Sequence, residues 1–245
     1  MTPDFLTFVV IGFMAQLVDG TIGMAYGVVS TTALLSAGLS PLSATANIHF
    51  AELITGGLSG VFHARRHQVS WPLVRRLTFA GCAGAAIGAL LLVALAPRFV
   101  EWSRRAVAFY LLVLGLWLCW RARNRLMLSQ VSARPHALGF AGGLFDAAGG
   151  GWGPIVTSNL MIAGVKPRVA IGSSIVAEFF VTAVHTIVFA SVGGLRPEVA
   201  MAGLLVGGVI AAPFGPALAA RLPSNVVVFL VGLAVVLASA VLIVR

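Results

Sequence analysis

A chain of 245 residues that is 59% hydrophobic and only 9% charged, with a mean hydropathy of +1.01, is not a soluble domain, because soluble domains carry about 25% charged residues. Runs such as VVVFLVGLAVVLASAVLIV (226–244) do not alternate in polarity, which excludes a membrane barrel and leaves an all-α integral membrane protein. The formal charge of +9 sits in short loops between apolar runs, the bias that orients helices toward the cytoplasm, and no basic face lies elsewhere to bind nucleic acid.

The N-terminus, MTPDFLTFVV, lacks a basic n-region and carries Asp4, so no cleaved signal peptide is expected. Eight apolar segments follow, at 5–38, 41–62, 72–96, 99–121, 136–164, 167–193, 198–221 and 223–244. Basic loops interrupt them at 63–76 and 121–136, and neither is long enough to form a second domain. The expectation is one membrane domain over 1–245. Cys82 and Cys119 lie in separate apolar segments without CxxC spacing and read as small core residues.

A shift of 126 residues superimposes the chain on itself: Pro41 on Pro167, Ala51 on Ala177, Glu52 on Glu178, Gly81 on Gly207 and Pro97 on Pro223. One further residue of shift brings Asp19 onto Asp146 and Gly23 onto Gly150. The chain therefore reads as two four-segment repeats, 5–121 and 136–244, joined by the basic loop 122–135. Such duplication is typical of secondary transporters.

The first segment of each repeat is interrupted. At 34 residues, 5–38 would make a helix of about 51 Å against a hydrocarbon core of about 30 Å. DGTIG (19–23) and DAAGGGWGP (146–154) fall at equivalent places, and their glycines permit non-helical turns. Each segment is expected to be two half-helices meeting near the membrane midplane, crossing or re-entrant. If all eight segments cross, the 16 Lys and Arg divide 10 to 6 with both termini inside; if the broken ones are hairpins, 11 to 5 with both outside and the halves inverted. Broken helices in corresponding positions favour the inverted arrangement.

Of the seven acidic residues, Asp19, Glu52, Asp146 and Glu178 lie deep in apolar segments and form two repeat-related pairs. A carboxylate in hydrocarbon costs several kcal/mol, so four placed this way argue for a central polar pathway. Asp19 and Asp146 have two compatible readings: lining a site, or capping the half-helix that follows. Helices starting near residues 24 and 152 would aim backbone N–H groups and positive dipole ends at the midplane, an anion site that glycines leave open. Thr45, His49 and Glu52 share one face of the second segment, and an imidazole one turn from a carboxylate suits proton movement. The second repeat has Ile175 in place of His49, so any such chemistry is confined to one half. His63 and His67 of HARRH lack a third ligand and read as residues of a basic cytoplasmic loop, and no metal site is expected. GLSG (57–60), with His185 on another segment, is similar to the serine–histidine pair of rhomboid intramembrane proteases. Ser59 and His185 are repeat-equivalent positions, however, which makes the protease reading remote.

Two long blocks, GFMAQLVDGTIGMAYGVVSTTALLSAGLSPLSATANIHFAELITGGLSGVFHARRHQV (12–69) and GFAGGLFDAAGGGWGPIVTSNLMIAGVKPRVAIGSSIVAEFFVT (139–182), resemble the two signature blocks of the TauE/SafE family. The resemblance implies a multi-pass transporter of the bacterial inner membrane, handling small sulfur-containing anions such as sulfite or sulfonates. It places the family's motif positions on Asp19, Gly20, Gly23, Tyr26, His49, Glu52, Asp146, Gly150 and Glu178. The full candidate set for substrate binding adds Thr21, Asn47, Gly149, Gly151, Ser173 and Ser174, with His49, Glu52 and Glu178 assigned to proton or other ion coupling. The expected function is secondary export of the anion, with a passive anion channel as the alternative; a homo-oligomer is compatible with the sequence. No GxxxxGK[ST] motif is present and no cofactor is expected.

Overall fold

The computed structural model describes residues 5–95, 100–124, 134–192, 194, 199–219 and scattered positions from 229 to 243. Among the described residues the secondary structure is helical throughout, with no strand. In the first half, α1 (Phe5–Ile22) and α2 (Tyr26–Ser36) are separated by a short break, followed by α3 (Pro41–Arg65), α4 (Trp71–Leu95) and α5 (Val100–Asn124). In the second half, α6 (Pro135–Asp146) ends in a loop, a π-helical turn (Gly153–Thr157) runs into α7 (Ser158–Ile162), and α8 (Pro167–Ser191), α9 (Val199–Ala211) and α10 (Gly215–Leu218) follow.

The helix starts follow from local chemistry. Ser40 caps α3, its hydroxyl accepting from Ser43 N–H at 3.2 Å, and Pro41 occupies the first turn, where its missing N–H costs nothing. Pro135 and Pro167 open α6 and α8 in the same way. By length and composition α1, α4 and α8 are able to cross a membrane. The other long central helix, α3, has 25 residues but buries Thr45, Asn47, His49, Glu52, Thr55, Ser59 and His63. Its polarity is turned inward, onto α8.

Three helix pairs organise the core: α1 lies on α9, α4 on α6, and α3 on α8. Thus the opening helix of each half, α1 or α6, packs on a helix of the other half, α9 or α4, and α3 and α8 pair at the centre. Glycines let the outer pairs approach backbone to backbone. A side-chain carbon at Gly84 would collide with the Phe140 carbonyl of α6, and one at Gly207 with the Val9 carbonyl of α1. Two apolar clusters result, one built on Tyr26, Leu34, Ile48, Leu111 and Leu204, the other on Leu77, Trp152, Leu160 and Val181.

The boundaries depart from expectation in one place. The segment 198–221 is not continuous: α9 stops at Ala211 and α10 starts at Gly215. Pro213 and Pro216 supply the reason, since each removes a backbone donor and crowds the preceding turn. The corresponding α4 lacks prolines in its interior past Pro72 and runs unbroken for 25 residues. Most of the eighth segment, 223–244, and most of the loop 122–135 lie outside the described residues.

Candidate functional site

The site is built on the two helix breaks. After α1, residues 23–25 leave the helix, and the Asp19 carboxylate turns back to accept from Ala25 N–H at 3.0 Å and Tyr26 N–H at 3.4 Å. After α6, Asp146 accepts from Trp152 N–H at 3.0 Å, again six residues downstream. Both aspartates therefore cap the following half-helix, satisfying donors that would otherwise be orphaned in an apolar interior. The N–H groups of Gly23 and Gly150 donate to the carbonyls of Asp19 and Asp146, at 2.5 and 3.2 Å.

The breaks touch each other. A side-chain carbon at Gly27 would fall 2.6 Å from the Gly150 α-carbon, and one at Gly153 would overlap Met24. Thr31 Oγ1 donates to the Gly149 carbonyl at 2.8 Å, fastening α2 to the second break. Gly149 and Gly150 have φ of 102° and 115°, conformations that L side chains rarely adopt.

Against this crossing, α3 and α8 place a buried cluster of acids and imidazoles. His49 Nδ1 lies 3.6 Å from Glu52 Oε2 and 3.9 Å from Asp146 Oδ2, and His185 Nδ1 lies 3.6 Å from the same Asp146 oxygen. The two rings face one another with centroids 4.2 Å apart, and Phe189 lies against both. Glu52, Asp146 and Glu178 each bring a carboxylate oxygen within 4.8 Å of the others. The cluster is sealed at Asp146 and the histidines (0% exposed) and opens slightly at Glu52 and Glu178 (5% and 7%).

The remaining predicted residues spread around the breaks. Thr21 Oγ1 donates to the Leu17 carbonyl at 2.5 Å, and Gly20 packs on Gly215 of α10. Tyr26 is buried with its hydroxyl 3.4 Å from the Leu204 carbonyl. Gly151 lies beside the Tyr110 hydroxyl. Ser174 Oγ accepts from Trp152 Nε1–H at 2.9 Å and pairs with Thr157 Oγ1 at 2.7 Å, tying α8 to the start of the π-helical turn. Ser173 Oγ instead accepts from Ser70 N–H, at the end of the α3–α4 connection, and Asn47 Nδ2 reaches Ser43 Oγ at 3.4 Å within its own helix.

One reading changes. His63 is not a loop residue: it is fully buried at the end of α3, its Nε2 3.1 Å from the Gly20 carbonyl and its Nδ1 2.7 Å from Gln68 Oε1. The basic run around it in sequence masked a helix end that turns inward, while His67, at φ 55°, makes the turn. His185 is directed at Asp146 and at the Gly143 carbonyl, with no hydrogen bond to Ser59 among the described residues. Tyr110 was not anticipated. Its hydroxyl is buried beside Gly151 without a hydrogen-bond partner among the described residues, and the available signal was scarcity, since the chain has two tyrosines and both abut a break.

The comparisons with known proteins bear on this architecture. The profile of the family described as Sulfite exporter TauE/SafE matches residues 8–242, nearly the whole chain. The chain belongs to the TauE/SafE family. A curated relative, the probable membrane transporter protein YtnM of Bacillus subtilis (strain 168), is 34% identical over 248 aligned positions, covering 96% of this chain and 81% of its own. No solved structure matches significantly. As a TauE/SafE member with apolar helices of spanning length, this chain is a multi-pass membrane protein of transporter type.

Proposed function

We propose that this TauE/SafE protein is a secondary transporter, an exporter, of a small sulfur-containing anion such as sulfite or an organosulfonate, acting in the bacterial inner membrane. One observation carries the reading: two helix breaks from opposite halves of the chain meet in the interior, each presenting downstream N–H groups to a carboxylate. Those N–H groups already hold an oxyanion, the aspartate's own, so the geometry suits a competing oxyanion. In this reading the cargo sits between Gly20–Tyr26 and Asp146–Trp152, with Thr21, Asn47, Ser173, Ser174 and Tyr110 as the nearest further donors. Two four-segment repeats, related by the helix pairing across the halves, would rock about the crossing point of the breaks in a single domain.

Fixed carboxylates beside an anion repel it unless a cation neutralises them. His49, Glu52 and Glu178 are therefore the coupling groups, binding a proton or another cation as the anion moves. The family's name, sulfite exporter, supports the substrate class. The test has two stages. Thermal stabilisation of the purified protein is measured against sulfite, sulfate, thiosulfate, taurine, sulfoacetate and sulfolactate, because a ligand of the folded state raises its stability with occupancy. The stabilising anion is then followed in proteoliposomes with imposed gradients. No stabilisation by any of the six removes the substrate class. Flux independent of proton and sodium gradients, unchanged in Glu52→Gln and Glu178→Gln, would replace the coupled transporter with a passive anion channel.

A further inference from the structure

His185 has no part in the coupling scheme above, yet it lies at the centre of the acid–imidazole cluster. Its Nε2 faces the Gly143 carbonyl at 3.2 Å, and a carbonyl only accepts, so the ring proton sits on Nε2. In the neutral ring Nδ1 is then a lone pair, and it faces Asp146 Oδ2 at 3.6 Å, a second acceptor. Two buried acceptors turned toward each other repel unless a cation lies between them. On the other side of that oxygen His49 Nδ1 is 3.9 Å away and itself 3.6 Å from Glu52 Oε2, and neither ring nitrogen of His49 has a hydrogen-bond partner among the described residues. All four of these atoms, His49 Nδ1, His185 Nδ1, Asp146 Oδ2 and Glu52 Oε2, are buried and without a hydrogen-bond partner among the described residues. Buried polar atoms are nearly always satisfied, so two imidazoles turning unpartnered nitrogens toward one unpartnered carboxylate oxygen mark a place for a shared positive charge.

The separations suit a metal ion better than a proton. At 3.6–3.9 Å they exceed hydrogen-bonding distance. A tetrahedral ion with bond lengths of 2.0–2.1 Å holds its ligands roughly 3.3–3.4 Å apart, which the separations of His49 and His185 from Asp146 approach by closing a few tenths of an ångström. The donor set discriminates among ions. Calcium, magnesium and sodium take oxygen, whereas two imidazoles with carboxylates suit a borderline transition-metal dication. The Gly143 contact is the outer-shell support that metal-binding histidines usually have. Charge also balances, since Asp146 and Glu52 sum to zero with a dication. Glu178, within 4.8 Å of both acids and partly exposed, stands at the open side.

We propose that His49, His185 and Asp146 form a binding site for a zinc-like divalent transition-metal ion, with Glu52 beside His49 and Glu178 on the far side of Asp146. The site stands on the cluster alone and holds whatever the anion cargo is. It is tested on full-length protein purified in detergent, affinity tag removed, chelator-stripped and titrated with Zn2+ alone, without any sulfur anion. Equilibrium dialysis is expected to find a single Zn2+ per chain, and Co2+ in its place is expected to show the intense visible absorption of a tetrahedral nitrogen–oxygen site. His185→Ala and His49→Ala, with folding checked by circular dichroism and gel filtration, should weaken Zn2+ binding by more than the roughly 10–100-fold that loss of an outer partner causes. His67→Ala at the α3–α4 turn should bind as the wild type does. Substoichiometric Zn2+ on the wild type, the faint spectrum of octahedral Co2+, or undiminished binding by folded His185→Ala overturns the proposal. If the alanine variants do not fold, X-ray absorption of the zinc-loaded wild type decides: imidazole scattering supports the site, and an oxygen-only shell overturns it. Anion flux is absent from these readouts, so the metal site and the transport function stand or fall separately.

Discussion

The break after Asp19 and the break after Asp146 begin alike and diverge within a turn. Each aspartate accepts the N–H six residues downstream, but the first break resumes as an α-helix at Tyr26, while the second passes through two glycines with large positive φ and a π-helical turn. The free oxygens differ more. Asp146 Oδ2 meets His49 from the first half and His185 from the second. The two breaks thus share one local rule, capping across a gap, and only the second carries its aspartate into a charged cluster. The first break is a hinge-like turn; the second is also half of a polar centre.

The largest contrast should come from the backbone. Gly150→Ala forces a side chain into φ 115° and onto the Gly27 and Val28 backbone, whereas Gly23→Ala has φ 72°, near the left-handed well, and meets only side chains, Thr157 at 3.0 Å and Ile171 at 3.3 Å. The expected loss is about 3 kcal/mol or more for Gly150→Ala and about 1–2 kcal/mol for Gly23→Ala, read as melting temperature in detergent. Equal losses would mean the two breaks are held with similar tightness. The aspartates should separate next. Asp19→Ala and Asp146→Ala each lose a cap worth about 1 kcal/mol. Asp146→Ala should in addition lose Zn2+ binding, which Asp19→Ala should keep. The aromatic residues that open the two downstream half-helices give a smaller difference. Trp152→Phe removes the donor to Ser174 and is expected to cost about 1 kcal/mol. Tyr26→Phe removes a long 3.4 Å contact to Leu204 and should cost less, about 0.5 kcal/mol.

Much of this was legible in order along the chain. The breaks at DGTIG and DAAGGGWGP announce themselves because an acid and several glycines stand where a buried helix needs apolar, helix-forming residues. The capping role of both aspartates follows from their residue type. Harder to read was anything depending on which way a helix end faces. His63 sits in a basic run that reads as solvent-exposed, yet the last turn of α3 points it at Gly20. The interruption between α9 and α10 was written in Pro213 and Pro216 but hidden by the high hydropathy around them.

The sequence by itself determined the membrane environment, the helical class, the two broken segments, the family and the four intramembrane acids. Each of these depends on composition or on residues close in the chain, where period and propensity act directly. Only the tertiary structure decided that His49 and His185 stand face to face across Asp146. These residues are not equivalent in the repeat, since His49 aligns with Ile175 and His185 with Ser59. No spacing or symmetry could pair them. They meet because α3 and α8 pack together at the centre, and because α6 ends its helix at Asp146 against that pair.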